Sequence, residues 1–389
     1  MKVAMLGHKG IPATYGGVEV HVDHLSQRLS DMGYEVLAYA RPYYVKKDVA
    51  ERFNKQNKNI RVITVPTVKS KHLDTIVHTF LSTLHAMKEN VDVYHFHSVG
   101  PSLLAWLPRL FRPHARVVCT FHSPDRLHQK WGTFARTVLT IGERTSLIFA
   151  HKTITVSRDL QRYCRERYFK QAVYIPNGVD EVQNVKPSLI SAEYGLNEKD
   201  YIVVVSRLVR HKGIHFLIKA FKQQNTEKKL VIVGDSAYTD DYVAELKQLA
   251  GNDSRIIFTG FQSGKMLTEL FSNAYLYVQP SESEGLCVAV LEAGSYGLPV
   301  LASDIPSNAE VVLDRGFMFE NASVQDLSEK LGYVLNHPEE AEEAGKQLRA
   351  HVAEKYNWDR ISKETTLVYE SATPSVIGAE AEEVAESNA

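Results

Sequence analysis

Cysteine is scarce. The three in 389 residues, Cys119, Cys164 and Cys287, form no C-x-x-C pair, so the chain offers neither a disulfide framework nor a cysteine zinc site. No stretch approaches the ~18 uninterrupted apolar residues of a membrane-spanning helix. The opening KVAMLG run is too short for a signal sequence and leads straight into a Gly/Pro loop, so a reducing cytoplasm is the expected compartment. A D-x-D triplet, which would recruit a divalent ion to phosphates, is absent, and so is the G-x-G-x-x-G dinucleotide fingerprint. No zinc-finger spacing, RNA-binding signature or helix-turn-helix is present either, which places nucleic acid last among partners.

Net charge is also nearly absent, at -1, but the balance hides a division. Residues 1–178 hold roughly 26 Lys/Arg against 13 Asp/Glu, and the remainder roughly 19 against 33. Within the basic half, KSKHLDTIVHTFLSTLHAMK and SLLAWLPRLFRPHAR mix cations with Leu, Phe and Trp. Such segments suit a membrane surface, or equally a core-facing helix with a solvated basic side.

At this length, with 44% hydrophobic residues, two buried cores are expected. Short apolar runs at KVAMLG, EVLAYA, RVITV, DVYHFH, RVVCTFH and KTITVS alternate with helical patterns, the first covering Val18 to Met32. YIVVVS, KLVIVGD, RIIFTG, AYLYVQPS and LPVLAS repeat the scheme. That alternation predicts an α/β protein of two Rossmann-like domains with parallel sheets, residues 1–178 and 179–356, joined near YIPNGVDEVQNVKPS. A helix over about 357–371 should pack back on the first domain, and the acidic tail 372–389 should stay disordered.

The densest chemistry lies in SESEGLCVAVLEAGSYGLPV. Glu284 and Glu292 flank a loop-to-helix junction whose free N–H groups at Gly285, Leu286, Cys287 and Val288 suit a phosphate. Upstream, Arg207 and Lys212 in SRLVRHKG follow a strand and offer two cations to a diphosphate. In the first loop, Gly16 and Gly17 let bare backbone approach a ligand at a helix start, with Tyr15 and Glu19 beside them. His122 stands at a strand's end and opens a loop carrying Asp125, Arg126, Lys130 and Trp131. His95 and His97 alternate on a strand, but no third metal ligand presents itself at sensible spacing, so they read as structural or cleft-lining. Gly260 and Phe261 are candidate contacts to a base.

Arg207, Lys212 and Glu284-x7-Glu292 with the following Gly-Leu-Pro-Val resemble the donor-site signature of retaining glycosyltransferase family 4, which has the GT-B fold. The likeness runs from the first strand to about residue 371. The opening MKVAMLGHKGIPATYGGVEVHVDHLSQRL is similar to a bacterial subgroup of rhamnosyltransferases and other surface-polysaccharide enzymes. The resemblance implies sheets facing across a cleft and a nucleotide-diphosphate-sugar donor held by the second domain. It further implies Glu284 on the sugar, Glu292 on the ribose, and His122 near the transferred sugar or the acceptor. No metal or cofactor is expected, the acceptor being lipid-linked or a polysaccharide and the inner membrane face an anionic docking surface. Cys287 departs from the family's usual Gly or aromatic residue. A sugar-nucleotide epimerase or other GT-B enzyme is the alternative, and a non-catalytic glycan- or membrane-binding module a third reading.

Overall fold

The computed structural model describes residues 1–68, 70, 73–124, 126, 132–236 and 239–371. The chain divides into two compact units, one of Met1–Pro176 with Trp358–Ser371, the other of Asn177–Asn357.

The first unit is built on seven strands, β1 (Lys2–Leu6), β2 (Glu35–Ala40), β3 (Ile60–Thr64), β4 (Val93–His97), β5 (Arg116–Phe121), β6 (Lys152–Thr155) and β7 (Val173–Tyr174). All pair in parallel, in the order β3-β2-β1-β4-β5-β6-β7. Its helices are α1 (Gly17–Asp31), α2 (Lys47–Gln56), α3 (Asp74–Lys88), α4 (Trp106–Phe111), α5 (Thr133–Ile148) and α6 (Arg158–Tyr168). The sheet is buried on both faces, which explains why its strands read as nearly continuous apolar runs. One face meets Val22, Leu25 and Leu29 of α1. The other meets Ala86, Ala105 and the residues around Phe149.

The second unit has six parallel strands, β8 (Tyr201–Val205), β9 (Lys229–Val233), β10 (Ile256–Gly260), β11 (Leu276–Gln279), β12 (Val300–Ser303) and β13 (Phe317–Phe319). Their order is β10-β9-β8-β11-β12-β13. Around them lie α7 (Leu189–Tyr194), α8 (Ile214–Phe221), α9 (Asp240–Ala250), α10 (Gly264–Ser272), α11 (Val288–Ser295), α12 (Pro306–Val312), α13 (Val324–Asn336) and α14 (Pro338–Lys355). The last helix, α15 (Trp358–Ser371), returns to the first unit, where Trp358, Ile361, Val368 and Tyr369 join the core shared with α1. The tail 372–389 lies outside the described residues.

The sequence reading missed β7 and β13, edge strands of two and three residues too short to show a pattern. In each sheet the strand order reverses once, between β1 and β4 and between β8 and β11. At such a point the loops leaving two neighbouring strands diverge to opposite faces, opening a crevice at the strands' carboxyl ends.

Gly213 closes the loop after β8. It has φ +69°, and a Cβ there would lie 1.8 Å from the carbonyl oxygen of Pro280, which follows β11. No side chain fits without moving backbone, so this glycine sets the spacing of two loops that carry candidate site residues. Gly213→Ala is therefore expected to destabilise the protein by about 2 kcal/mol or more, measured by chemical denaturation. An unchanged midpoint would show that the two loops are free to part.

Candidate functional site

At the reversal point of the second sheet, β11 ends in Gln279, a polar residue at the end of an apolar strand. The chain then runs through Pro280 and Ser281 to Glu284. The loop leaving β8 tightens into one 3-10 turn, Arg210–Lys212, and His211 accepts a backbone hydrogen bond of 2.8 Å from Glu282. This brings the Lys212 ammonium onto Glu284 Oε1. The same oxygen accepts hydrogen bonds from Ser281 Oγ at 2.7 Å and Gln279 Nε2 at 3.1 Å. Gln279 in turn donates to Ser281 Oγ at 2.6 Å and accepts from the buried Tyr277 hydroxyl at 2.6 Å. A second brace holds the loop, where Ser303 Oγ donates to the Ser281 carbonyl at 2.5 Å.

Burial alone would raise the Glu284 pKa. Lys212, and then the Ser281 hydroxyl, outweigh burial and hold the carboxyl below its ordinary range. The lysine and glutamate side chains are only 13% and 11% exposed. Removing either partner therefore leaves a charge with little water, a loss of about 3–5 kcal/mol.

Glu292 sits in the second turn of α11 and is half-buried, less enclosed than its neighbours Leu291 and Ala293, which are buried. Cys287 occupies the position before that helix and is buried. Burial, followed by the charge of Glu284, pushes its thiol up to about 12, so it is no nucleophile at neutral pH. Leu286 is buried, its carbonyl accepting from Asn177 Nδ2 at 3.1 Å. Gly285 is buried on the same loop. Arg207 follows β8 and is exposed, with no ion pair among the described residues. Gly260 ends β10 with φ +68°, and Phe261 beside it is half-exposed. They lie at the end of the sheet's outer strand, two strands from the Lys212 loop.

In the first unit, the reversal point between β1 and β4 gathers histidines. His97 and His122 share a hydrogen bond of 3.2 Å between Nδ1 and Nε2. The His21 ring on α1 lies 4.9 Å from that of His122 and 5.6 Å from that of His97, and its other side meets Trp358 of α15 at 5.3 Å. His95 is fully engaged, through Nδ1 with the Tyr369 hydroxyl at 2.8 Å and through Nε2 with Thr120 Oγ1 at 2.7 Å. A third imidazole therefore does join His97 and His122, contrary to the spacing argument. It comes from α1, about 75 residues away in the chain, where it lies on the helix's buried stripe beside Val22 and Leu25.

One nitrogen from each of His21, His97 and His122 lies within 4.8 Å of the other two, so the trio could share an ion. Three imidazoles suit zinc or another transition metal, and not the oxygen-seeking magnesium or manganese that phosphates recruit. Burial, reinforced by the neighbouring rings, holds His97 and His122 well below the ordinary range, and burial takes His8 and His95 down to about 3. These four imidazoles are neutral at physiological pH.

Other candidates in this unit have defined partners. Gly16 precedes α1 with φ +102°, and Gly17 is the helix's first residue. Glu19 is buried and accepts from the Lys9 backbone N–H at 3.0 Å, so its carboxylate braces the first loop. Tyr15 is exposed, with its ring 4.7 Å from that of Tyr44 and the Lys9 ammonium 4.7 Å from its centroid. Arg126 donates to Tyr163 of α6 at 2.8 Å and to the buried Glu143 of α5 at 3.2 Å, which commits its guanidinium to these two helices. Asp125, Lys130 and Trp131 lie outside the described residues. Sequence reasoning overlooked Gln279, Ser281 and His21, and the available signal was a polar side chain on an otherwise apolar strand end or helix stripe.

The histidine array fixes a sign. The folded-state pKa values of His8, His95, His97 and His122 are lower than the ordinary His value of about 6.5, so between the two the unfolded chain binds more protons. Stability is then fully present above about pH 6.5 and declines as pH falls. Thermal unfolding from pH 7.5 to 5 is expected to show falling midpoints with proton uptake, less in His97→Gln than in the natural chain. Flat midpoints would contradict a buried neutral array.

Two family models match the chain in tandem. Residues 15–183 match glycosyltransferase family 4, and residues 188–351 match glycosyl transferases group 1. The gpi3 subunit of phosphatidylinositol N-acetylglucosaminyltransferase from Schizosaccharomyces pombe is 24% identical, over 92% of this chain and 78% of its own. N-acetyl-alpha-D-glucosaminyl L-malate synthase of Bacillus anthracis is 22% identical, over 91% and 93%. Sucrose-phosphate synthase from Thermosynechococcus elongatus has the same fold, with TM-score 0.79 and 22% identity over 95% of this chain and 98% of that one. Anabaena HepE in complex with UDP-glucose also gives TM-score 0.79, with 20% identity over 95% and 100%. With its two parallel-sheet units and both halves matched in order, this chain is a glycosyltransferase of family 4 with the GT-B fold.

Proposed function

We propose that the enzyme transfers a hexose-type sugar, with retention of anomeric configuration and without a metal, from a nucleotide-diphosphate-sugar to a hydroxyl of a lipid-linked or polysaccharide acceptor in cell-surface glycan synthesis. The observation that carries this reading is the Lys212 ammonium held by Glu284 where the second sheet's strand order reverses. A fixed cation at a crevice beside the start of α11 suits a diphosphate, and exposed Arg207 on the same loop adds a second. UDP-sugar and UDP complexes of the structural neighbour HepE support a nucleotide donor. In this reading Glu284 meets the sugar and Glu292 the ribose.

During transfer the bond from the anomeric carbon to the diphosphate oxygen breaks while a bond to the acceptor oxygen forms. The acceptor proton passes to the departing phosphate oxygen on the same face. Lys212 and Arg207 stabilise the negative charge that accumulates on the diphosphate, the role a divalent ion takes in other enzymes. No protein nucleophile is required, which agrees with the protonated Cys287 thiol. His122, kept neutral, offers a hydrogen bond to a hydroxyl of the sugar or the acceptor and no counter-charge.

The test is a panel of UDP-, GDP- and dTDP-sugars assayed for nucleoside diphosphate release. Lys212→Ala and Glu284→Gln are each expected to lower turnover by about a hundredfold or more while the fold, judged by circular dichroism, is kept. Near-normal release from either folded variant removes its residue from the mechanism. A chelator is expected to change the natural enzyme's rate by less than about twofold. A rate abolished by chelator and restored by zinc would instead place a required ion on the histidine trio.

A further inference from the structure

The helix α3 is built inside out. The residues it turns into the protein are His78, Thr79, Ser82 and Thr83, with only Ala86 apolar among those fully buried. Thr79 and Thr83 satisfy their hydroxyls on carbonyls of their own helix, at 2.7 Å each. The residues it turns outward are Phe80, Leu81 and Leu84, at the i, i+1, i+4 positions of one stripe. A helix that belonged only to a core would have the opposite pattern.

The apolar stripe has neighbours. Helices α3 and α5 both pack on the 3-10 turn Pro101–Leu104, and α3 also touches α4, so the three lie in one layer on the same face of the sheet. Leu110 and Phe111 of α4 and Ile141 and Ile148 of α5 are exposed as well. Together with the α3 stripe, each of these seven large apolar residues is between 36% and 60% exposed. Such a concentration on one layer marks an interaction surface.

Charge on the layer identifies the occupant. Lys88, Arg136 and Arg144 are exposed and make no ion pair among the described residues. The described acids of the same stretch are engaged elsewhere. Asp74 pairs with Arg41, Glu89 with Arg61, and Glu143 with Arg126, while Asp92 accepts from the Lys2 backbone N–H. The surface is thus apolar and cationic with no free negative group to answer it. Two copies placed face to face would bring like charges together, whereas an anionic bilayer offers both acyl chains and phosphate.

We propose that the outward faces of α3, α4 and α5 form a docking surface that seats the enzyme on an anionic membrane, with the large apolar side chains entering the headgroup boundary and Lys88, Arg136 and Arg144 meeting lipid phosphates. It extends the proposed action on a lipid-linked acceptor, but binding is read without donor or acceptor. Failure of the surface therefore leaves the transferase reading standing, and loss of turnover with intact binding leaves the surface standing.

The full chain is sedimented with vesicles of phosphatidylcholine containing about 30% phosphatidylglycerol, and with vesicles of phosphatidylcholine alone. Binding is expected to the anionic vesicles only and to weaken as salt rises from about 0.1 to 0.5 M. Phe80→Ser with Leu84→Ser, and separately Arg136→Glu with Arg144→Glu, are each expected to weaken it about tenfold or more while the thermal midpoint stays near that of the natural chain. A single Leu81→Ser variant serves as a milder apolar probe should the double variant fold poorly. No binding to anionic vesicles, natural-strength binding by the folded variants, or a dimer in gel filtration that the α3 substitutions dissolve would each overturn the proposal.

Discussion

The geometry of the candidate donor site depends on holding one ammonium against one carboxylate where water is scarce. Lys212 and Glu284 come from loops 72 residues apart, and neither loop would settle there alone. Gly213 allows the Pro280 carbonyl to pack on it, Ser281 and Gln279 donate to the same Glu284 oxygen as Lys212, and Ser303 fixes the Ser281 backbone. The pair is costly to desolvate, and satisfying its hydrogen bonds is what makes it tolerable. In the proposed reading this preorganised cation meets a diphosphate without further rearrangement, which is the condition for electrostatic catalysis to be effective.

The first unit uses the same sheet geometry for a different electrostatic purpose. Its reversal point carries imidazoles held neutral by burial, tied by Tyr369 and covered by Trp358 from a helix that arrives only after the second unit is complete. Because α15 supplies both aromatic groups, the environment of His95 and His21 depends on the chain's return. One reversal point presents a fixed ion pair and the other uncharged imidazoles.

Much of this was legible in the residues. Buried parallel strands announce themselves as apolar runs, and eleven of them could be placed to within a few positions. β7 and β13 escaped because two or three residues carry no periodicity. Glu284 and Lys212 were visible as charges in suspicious places, but their direct pairing was not, since the path that joins them runs through Gly213 and Pro280. His21 was invisible for a related reason. Its position on α1 reads as one polar residue on a helix, and only the three-dimensional neighbourhood of β4 and β5 shows what it meets. The outward apolar stripe of α3 was likewise ambiguous, because periodicity reveals that a helix has two faces without saying which one the sheet will take.

The central claim is that Lys212 marks the diphosphate. It is tested most directly by a crystal structure of the enzyme with whichever nucleoside diphosphate stabilises it against heat. The account predicts phosphate oxygens about 3 Å from the Lys212 ammonium, beside the start of α11. A diphosphate bound elsewhere, for instance among Arg158, Arg162 and Arg165 on the surface groove of α6, with the Lys212–Glu284 pair untouched, would contradict it.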